Sequence, residues 1–136
     1  MIRPTHLLDT NILSGLIRQP RGIVATKIQE CGEDRICTSL IVAAEIRYGC
    51  LKKGSDRLTA QANAVLNALT ILPMEAPADE IYANIRHMLE SRGEPIDPND
   101  LLIAAHARSL ELTLVSANEN EFARVPGLKF ENWLAP

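Results

Sequence analysis

The sequence predicts an α/β fold in which helices pack against a short, mostly parallel sheet. Short apolar runs alternate with longer segments whose apolar residues recur at helical spacing, the order expected of strand, helix and strand units. The 136 residues are enough for one domain, residues 1–136, and show no internal repeat or linker. Apolar residues make up 46% of the chain and aromatic residues only 4%, which favours a core of aliphatic side chains.

The first predicted strand covers residues 6–8, an apolar run that ends at Asp9. A helix is predicted over residues 12–18, because Thr10 and Asn11 offer side chains that cap helix starts and the apolar spacing then becomes helical. Asp9 is therefore expected at the carboxyl end of the first strand.

A second helix is predicted over residues 22–31, and the β-branched run at residues 36–38 predicts the second strand. Ser39 is a suitable N-cap for a third helix over residues 40–53. Helical spacing places Glu45 near the core-facing stripe of that helix. The residues expected to share this stripe are Ile41, Ala44, Glu45 and Tyr48.

The middle of the chain repeats the same alternation. Residues 55–69 have helical spacing, and residues 70–72, just before a proline, read as the third strand. Another amphipathic helix is predicted over residues 78–92, with Gly93 ending it.

The last third begins with Asn99, which is positioned to cap a helix over residues 100–110. That helix starts with five apolar residues and is therefore expected to be buried. Residues 112–115 predict the fourth strand, residues 117–122 a short turn or helix, and residues 128–130 a fifth strand at the edge of the sheet.

Charge and hydropathy argue against several classes of protein. The net charge of -3 and pI near 5.6 argue against a general basic surface for coating nucleic acid. No apolar run approaches the roughly 20 residues that a membrane span needs, and residues 1–6 do not resemble a signal peptide, so a cytoplasmic protein is expected. The cysteines and histidines lack the spacing of zinc or redox sites: Cys31, Cys37, Cys50, His6, His87 and His106.

Acidic residues follow the predicted strands, at the end of the sheet where parallel α/β folds bind ligands. Asp9 follows the first strand, Glu45 lies on the helix after the second, and Asp100 opens the buried helix. Glu119 and Glu121 follow the fourth strand. If these acids meet, they require a cation to reduce their repulsion, and an all-oxygen ligand set favours Mg²⁺ or Mn²⁺ over zinc. Such an ion supports hydrolysis of a phosphodiester by water.

Each acid also has a purely structural interpretation. Asp9 could cap the first helix, Asp100 could be an acid favoured by the helix dipole, and Glu119 or Glu121 could be solvated. Glu45 is the hardest to explain in this way, because its neighbours are apolar and an unpaired buried carboxylate is costly. Polar residues beside the acids either cap helices or orient carboxylates: Thr10, Asn11, Ser39, Asn99, Ser116 and Asn118.

Four ordered blocks of sequence resemble the PIN-domain toxins of the VapC type. The blocks are Leu7-Leu8-Asp9-Thr10-Asn11-Ile12, Ala44-Glu45-Ile46-Arg47-Tyr48-Gly49, residues 95–107 and Leu114-Val115-Ser116-Ala117-Asn118-Glu119-Asn120-Glu121-Phe122. This resemblance implies a PIN-like three-layer α/β/α sandwich with a short, mostly parallel sheet of four to five strands. It also implies an endoribonuclease that uses Mg²⁺ or Mn²⁺ and forms the toxin half of a toxin-antitoxin pair.

The resemblance assigns the site residue by residue. Asp9, Glu45 and Asp100 match the first three acids, with Asp9 and Asp100 as metal ligands. Many relatives have an aspartate where this chain has Asn118, so Glu121 is predicted as the fourth acid and Glu119 as the alternative. The implied partners are an RNA substrate, for which tRNA is a candidate, a cognate antitoxin, and a second copy of the chain in a homodimer or larger complex with antitoxin.

Three other functions are considered. A receiver domain requires a lysine after its last core strand, and the sequence there is Val115-Ser116-Ala117. A haloacid-dehalogenase-like phosphatase requires a second aspartate two residues after the first, where this chain has Asn11. The remaining alternative is a non-catalytic PIN-fold module that binds a partner or RNA without cutting it.

Overall fold

A computed structural model describes residues 3–135, and the ends of the predicted domain, Met1, Ile2 and Pro136, lie outside the described residues. The strands within this range are β1 (His6–Leu8), β2 (Ile36–Ser39), β3 (Thr70–Leu72), β4 (Thr113–Val115) and β5 (Phe130–Glu131). The α-helices are α1 (Thr10–Arg18), α2 (Ile23–Cys31), α3 (Leu40–Lys53), α4 (Asp56–Ala68), α5 (Ala78–Ser91), α6 (Pro98–Ser109) and α7 (Glu119–Phe122).

All five strands pair in parallel, in the order β3-β2-β1-β4-β5. This confirms the prediction of a short parallel sheet with β5 at one edge. The fifth strand begins later than predicted, because Phe130 rather than Leu128 pairs with Leu114.

The chain adds later strands on both sides of β1, and the direction in which it adds them reverses after β3. The chain first adds β2 and β3 on one side of β1, and later adds β4 and β5 on the other. Leu8 pairs with Thr38 on one neighbour and with Val115 on the other, so the residues after these strands emerge at the same edge. Such a reversal leaves a crevice beyond the strand ends, where open α/β sheets bind ligands.

The helices form two outer layers around the sheet. Helices α1, α2, α3 and α4 pack against one another, and α5 packs against α6. Right-handed crossovers place these two groups on opposite faces, because the chain moves in opposite directions along the sheet before and after β3. The result is the predicted three-layer sandwich.

The core consists mainly of aliphatic side chains on both faces of the sheet. All four residues of β2 and two of the three in each of β1 and β4 are buried, as expected for inner strands covered by helices on both sides. Residues with no exposed surface include Leu7, Leu8, Ile12, Leu13, Ile103 and Leu114. Trp133 is also buried, with its ring centroid 6.0 Å from that of His6.

Two predicted helix starts are wrong. Asp9, not Thr10 or Asn11, is the N-cap of α1, and its carboxylate accepts a hydrogen bond from the Thr10 backbone N–H at 2.7 Å. Asp97, not Asn99, is the N-cap of α6, where its carboxylate accepts from the Asn99 backbone N–H at 2.9 Å. Pro98 explains the second shift, since its fixed φ suits the first position of a helix.

The predicted core stripe of α3 is also wrong. The residues of α3 that are buried are Val42, Ala43, Ile46 and Cys50. Tyr48 is 65% exposed, whereas Glu45 lies half-buried at the border of the buried face. Helical spacing alone could not identify the buried face of α3, because apolar residues occur nearly all around this helix. The prediction that Ser39 caps α3 is confirmed, since its hydroxyl accepts from the Ile41 N–H.

His106 lies in the core, as the sequence predicts for a histidine in an apolar helix. Its Nδ1 lies 2.8 Å from the Ser39 hydroxyl, while its Nε2 is buried without a hydrogen-bond partner within residues 3–135. Burial lowers the pKa of His106, an effect that the Pro73 carbonyl opposes. The three cysteines are free thiols. None of the described helices is long and apolar enough to cross a membrane.

Candidate active site

A polar cleft of about 470 Å³ opens beyond the carboxyl ends of β1 and β4. Three of the acids predicted from the sequence, Asp9, Glu45 and Asp100, line this cleft together. They come from the end of β1, the second turn of α3 and the first turn of α6. The fold therefore brings together residues that are separated by up to 91 positions in the sequence. The other lining residues are Thr10, Asn11, Ser14, Arg18 and Asn118.

Asp9 lies at the buried end of the cleft and is only 3% exposed. One carboxylate oxygen accepts from the Thr10 backbone N–H, and the other accepts from the Ser116 hydroxyl, both at 2.7 Å. Burial raises the pKa of Asp9, and these two hydrogen bonds oppose the shift. Ser116 follows β4, so pairing between β1 and β4 places a hydroxyl donor directly against this carboxylate.

Glu45 lies on the opposite wall and is held by two side chains. The Thr10 hydroxyl donates to Oε1 at 2.6 Å, and the Asn99 amide donates to Oε2 at 3.3 Å. Thr10 therefore connects α1 to α3 through its side chain, while its backbone N–H contacts Asp9. This arrangement links two of the acids through a single residue.

Asn118 connects the remaining acids. Its amide Nδ2 donates to Asp100 Oδ2 at 3.3 Å and to Glu121 Oε2 at 3.1 Å. Its backbone N–H donates to the Ser116 hydroxyl at 3.0 Å, which fixes the turn that follows β4. Glu121 is thus linked to Asp100 through the Asn118 amide.

The acids interact strongly with one another. Burial, and then the Glu121 carboxyl with which it can share a proton, raise the pKa of Asp100 to about 8. The negative charges of Asp9 and Asp97 act in the same direction. The charge of Glu121 also raises the pKa of Asp9. A cation in the cleft would oppose these shifts, because it stabilises the ionised carboxylates.

Glu121 does not itself line this cleft, and neither does Glu119, the alternative fourth acid. Glu119 is exposed on the first turn of α7, where its carboxylate accepts from the Asn132 amide at 3.1 Å. Asn11 lies at the rim, and its side-chain oxygen accepts from the Ala117 backbone N–H at 3.3 Å. Of the two candidates, Glu121 is therefore the one that contacts the cluster.

Two residues of the cleft, Ser14 and Arg18, were missed by the sequence analysis. They follow Thr10 at intervals of four residues, so all three lie on one face of α1. This spacing could have identified Ser14 and Arg18 from the sequence, because Thr10 was already expected to lie beside the acids.

The oxygen donors in the cleft suit a hard divalent cation. Across residues 3–135 no three acidic, histidine or cysteine side chains lie close enough to form a complete metal-binding group. Mg²⁺ does not need one, since it commonly binds one or two carboxylates and fills its other positions with water and substrate phosphate. Asp9 and Asp100, whose raised pKa values reflect burial and uncompensated charge, therefore fit this role.

Comparison with known proteins gives consistent matches over nearly the whole chain. The sequence profile of the PIN domain matches residues 6–128. Ribonuclease VapC2 of Haemophilus influenzae is 40% identical over 131 residues, covering 95% of this chain and 98% of that protein. The tRNA(fMet)-specific endonuclease VapC of Shigella flexneri is 33% identical, covering 93% and 96%.

A solved structure also matches closely. The crystal structure of VapBC2 from Rickettsia felis bound to a DNA fragment from their promoter contains a chain with a TM-score of 0.88 and 34% identity. The match covers 97% of this chain and 99% of that chain. Sequence and fold thus point to the same group of proteins.

Proposed function

Because the chain belongs to the PIN-domain family, in its VapC branch, we propose that it is an endoribonuclease and the toxin of a toxin-antitoxin pair. Its reaction is the hydrolysis of phosphodiester bonds in RNA, with Mg²⁺ or Mn²⁺ as cofactor. The observation that carries this proposal is the convergence of Asp9, Glu45 and Asp100 on one cleft at the reversal of the sheet. The names of the relatives support the ribonuclease activity.

Asp9 and Asp100 are the residues proposed to hold the metal. When bound there, the ion would polarise the phosphate of the substrate and lower the pKa of a bound water. Ser116 and the Thr10 N–H orient the Asp9 carboxylate so that both of its oxygens keep a fixed direction. Such supporting hydrogen bonds keep a ligand in place and set its basicity.

Glu45 and Glu121 are proposed to act on water and protons next to the metal ligands. Glu45 keeps its position through Thr10 and Asn99, and it lines the cleft without lying at the buried end. A carboxylate in this place can accept a proton from the attacking water. The Asn118 amide keeps Glu121 close to Asp100 without adding a negative charge.

The finer assignments follow from the relatives. We propose tRNA as the substrate class, because the 33% identical protein of Shigella flexneri is named a tRNA(fMet)-specific endonuclease. A cognate antitoxin is the proposed protein partner, since the matching Rickettsia felis structure is a VapBC complex. The proposed state is a cytoplasmic homodimer that can assemble further with its antitoxin.

The central test is cleavage of bacterial tRNA by the antitoxin-free protein. We expect cleavage with Mg²⁺ or Mn²⁺ and none with excess EDTA. Asp9→Asn and Asp100→Asn are expected to lower the rate by ~100-fold or more, because loss of a metal ligand removes several kcal/mol of transition-state stabilisation.

The matched control is Glu119→Gln, an acid in the same short helix as Glu121 whose carboxylate accepts from Asn132 and not from Asn118. It should cleave at the wild-type rate, while Glu121→Gln should be slower. If wild-type protein binds RNA but cuts none with either metal, the non-catalytic binding module becomes the better interpretation.

A further inference from the structure

A second cavity, of about 190 Å³, adjoins the acidic cleft and lies between α1 and α3. Thr10, Ser14, Arg18 and Glu45 line both spaces, so the two form one continuous groove. The acidic cleft is one end of this groove. The walls of the second cavity are partly apolar, formed by Ile17, Ile46, Cys50 and Leu58.

Two cations line the second cavity: Arg18, which also lines the acidic cleft, and Lys53, which lines the second cavity alone. Arg18 is in the last turn of α1 and Lys53 in the last turn of α3. They follow Thr10 and Glu45 by eight residues each, a distance of ~12 Å along an α-helix. Asp9 and Asp100 line only the acidic cleft and Lys53 lines only the second cavity, so the two parts of the groove differ in charge.

Neither cation is neutralised by the rest of the described chain. Within residues 3–135, Arg18 and Lys53 make no ion pair within 4.0 Å. A cation near a helix C-terminus is favourable in any protein because of the helix dipole. Lys52 is in the same last turn of α3 and is equally favoured by the helix dipole, but it does not line the groove. The dipole therefore explains a cation in this turn but not the position of Arg18 and Lys53 in the groove.

Gly49 keeps this part of the groove open. It lies on α3 between Glu45 and Lys53, and a Cβ built at this position meets no atom within 4 Å. Position 49 is exposed on α3, so a larger side chain there could extend into the cavity without displacing a neighbour. The empty volume and the unpaired cations occur at the same place.

We propose that this groove is a binding site for the RNA strand beside the bond that is cut, with Arg18 and Lys53 holding a flanking phosphate. The inference rests on the proposed ribonuclease activity, which places the scissile phosphate at Asp9 and Asp100. The charges along the groove fit a bound RNA strand. A phosphate next to Asp9 and Asp100 requires a metal cation, whereas a phosphate in the second cavity can be bound directly by Arg18 and Lys53. The apolar walls lie where the sugar and base of that nucleotide would pack.

The test measures binding separately from cleavage. A labelled short single-stranded RNA of mixed sequence is titrated with wild type, Arg18→Gln, Lys53→Gln and the double variant in EDTA, over a range of salt concentrations. Each single variant should bind several-fold more weakly and lower the slope of log affinity against log salt by ~0.7, the value for one lost phosphate contact on a single strand.

Lys52→Gln is the matched control, since it removes an equal charge from the same turn of α3 outside the groove. It should keep the wild-type slope. A double variant that binds RNA like Lys52→Gln would overturn the proposal. So would a double variant that keeps RNA binding but loses binding to the purified antitoxin, because the cations would then serve the protein partner.

A second variant tests the groove without changing charge. Gly49→Leu places a side chain in the open space and should weaken RNA binding while leaving the melting temperature at or above the wild-type value. Unchanged RNA binding by this folded variant contradicts the proposal. Failure of the ribonuclease function is distinguishable, because wild-type protein would then not cut tRNA with metal, whatever these variants do.

Discussion

Neighbouring carboxylates in this cleft have different surroundings, and the difference assigns them different tasks. Asp9 is buried and accepts two hydrogen bonds, which oppose the effect of burial on its pKa. Asp100 accepts only from the Asn118 amide among the described residues and has a pKa near 8. Asp9 is therefore the better fixed of the two proposed ligands, and we expect a cation in the cleft to favour ionisation of Asp100.

Ser116→Ala tests the fixed orientation of Asp9. Without the Ser116 hydroxyl, one oxygen of the buried carboxylate loses its donor, so we expect metal affinity or tRNA cleavage to fall ~10- to 100-fold, as for other residues that support metal ligands. Calorimetry and cleavage assays measure the two effects. Ser109→Ala is the control, because its hydroxyl donates to the His106 carbonyl outside the cleft. Equal losses in both variants would contradict a specific role for Ser116.

The pKa of Asp100 predicts how the stability of metal-free protein depends on pH. Folding raises this pKa from 3.8 to about 8, so the folded state holds a proton that the unfolded state releases. The resulting stabilisation is complete below pH 3.8 and is lost as the pH rises through 8. The melting temperature of wild type in EDTA should therefore fall between pH 6.5 and 9, and Asp100→Asn should reduce this fall.

Two other groups define that measuring range. His106 has a lowered pKa, so its contribution changes as the pH falls below its ordinary value of 6.5. Burial raises the pKa of Cys37 from 9.0 to about 12, so its contribution begins to change only above pH 9. Between pH 6.5 and 9, therefore, neither His106 nor Cys37 changes its contribution to stability, and neither obscures the titration of Asp100. An equal dependence on pH in wild type and Asp100→Asn would show that another group is responsible.

At the scale of the elements, helix starts position much of the site. Asp9 is the N-cap of α1 and also a wall of the cleft. In α6, Asp97 is the N-cap, which leaves Asp100 in the first turn, facing the cluster, and frees Asn99 to contact Glu45. One capping residue therefore sets the direction of two side chains that the site uses.

Asp97→Ala tests this capping role. Loss of the carboxylate that accepts from the Asn99 N–H should lower the free energy of unfolding by ~1 kcal/mol, the usual effect of removing an N-cap. Asn99→Ala is the control, because Asn99 is not the N-cap of α6, and it should have a much smaller effect in urea unfolding. If Asn99→Ala proves the more damaging change, the sequence-based choice of cap was correct after all.

At the scale of the molecule, a metal in the cleft should stabilise the whole domain. The proposed ligands Asp9 and Asp100 come from the end of β1 and from α6, so unfolding either element destroys the site. Mg²⁺ at one hundred times its Kd should raise the free energy of unfolding by ~2.7 kcal/mol.

Thermal unfolding with and without Mg²⁺ measures this stabilisation. Asp9→Asn should abolish it. Glu30→Gln, which removes an exposed acid on α2 that does not line the cleft, should keep it. If Mg²⁺ stabilises the Asp9→Asn protein as much as wild type, the metal binds elsewhere.

The sequence by itself determined the order of the elements, the parallel sheet and three of the acids that line the cleft. These features are local or periodic, since an apolar run that ends at Asp9 can be recognised without knowing its neighbours. Helix boundaries and the buried face of α3 were less accurate, because several residues could cap a helix or face the core equally well until packing selected one.

Only the tertiary structure distinguished the surroundings of Glu121 from those of Glu119, and only it showed that Arg18 and Lys53 lie beside the acids. The physical reason is the same in both cases. Glu119 and Glu121 are two residues apart in one short helix, and the turn fixed by Ser116 and Asn118 brings Glu121 within hydrogen-bond distance of the Asn118 amide. Arg18 and Lys53 line the same cavity because two helices lie side by side after parallel strands, a proximity that is created by the sheet and not by sequence spacing.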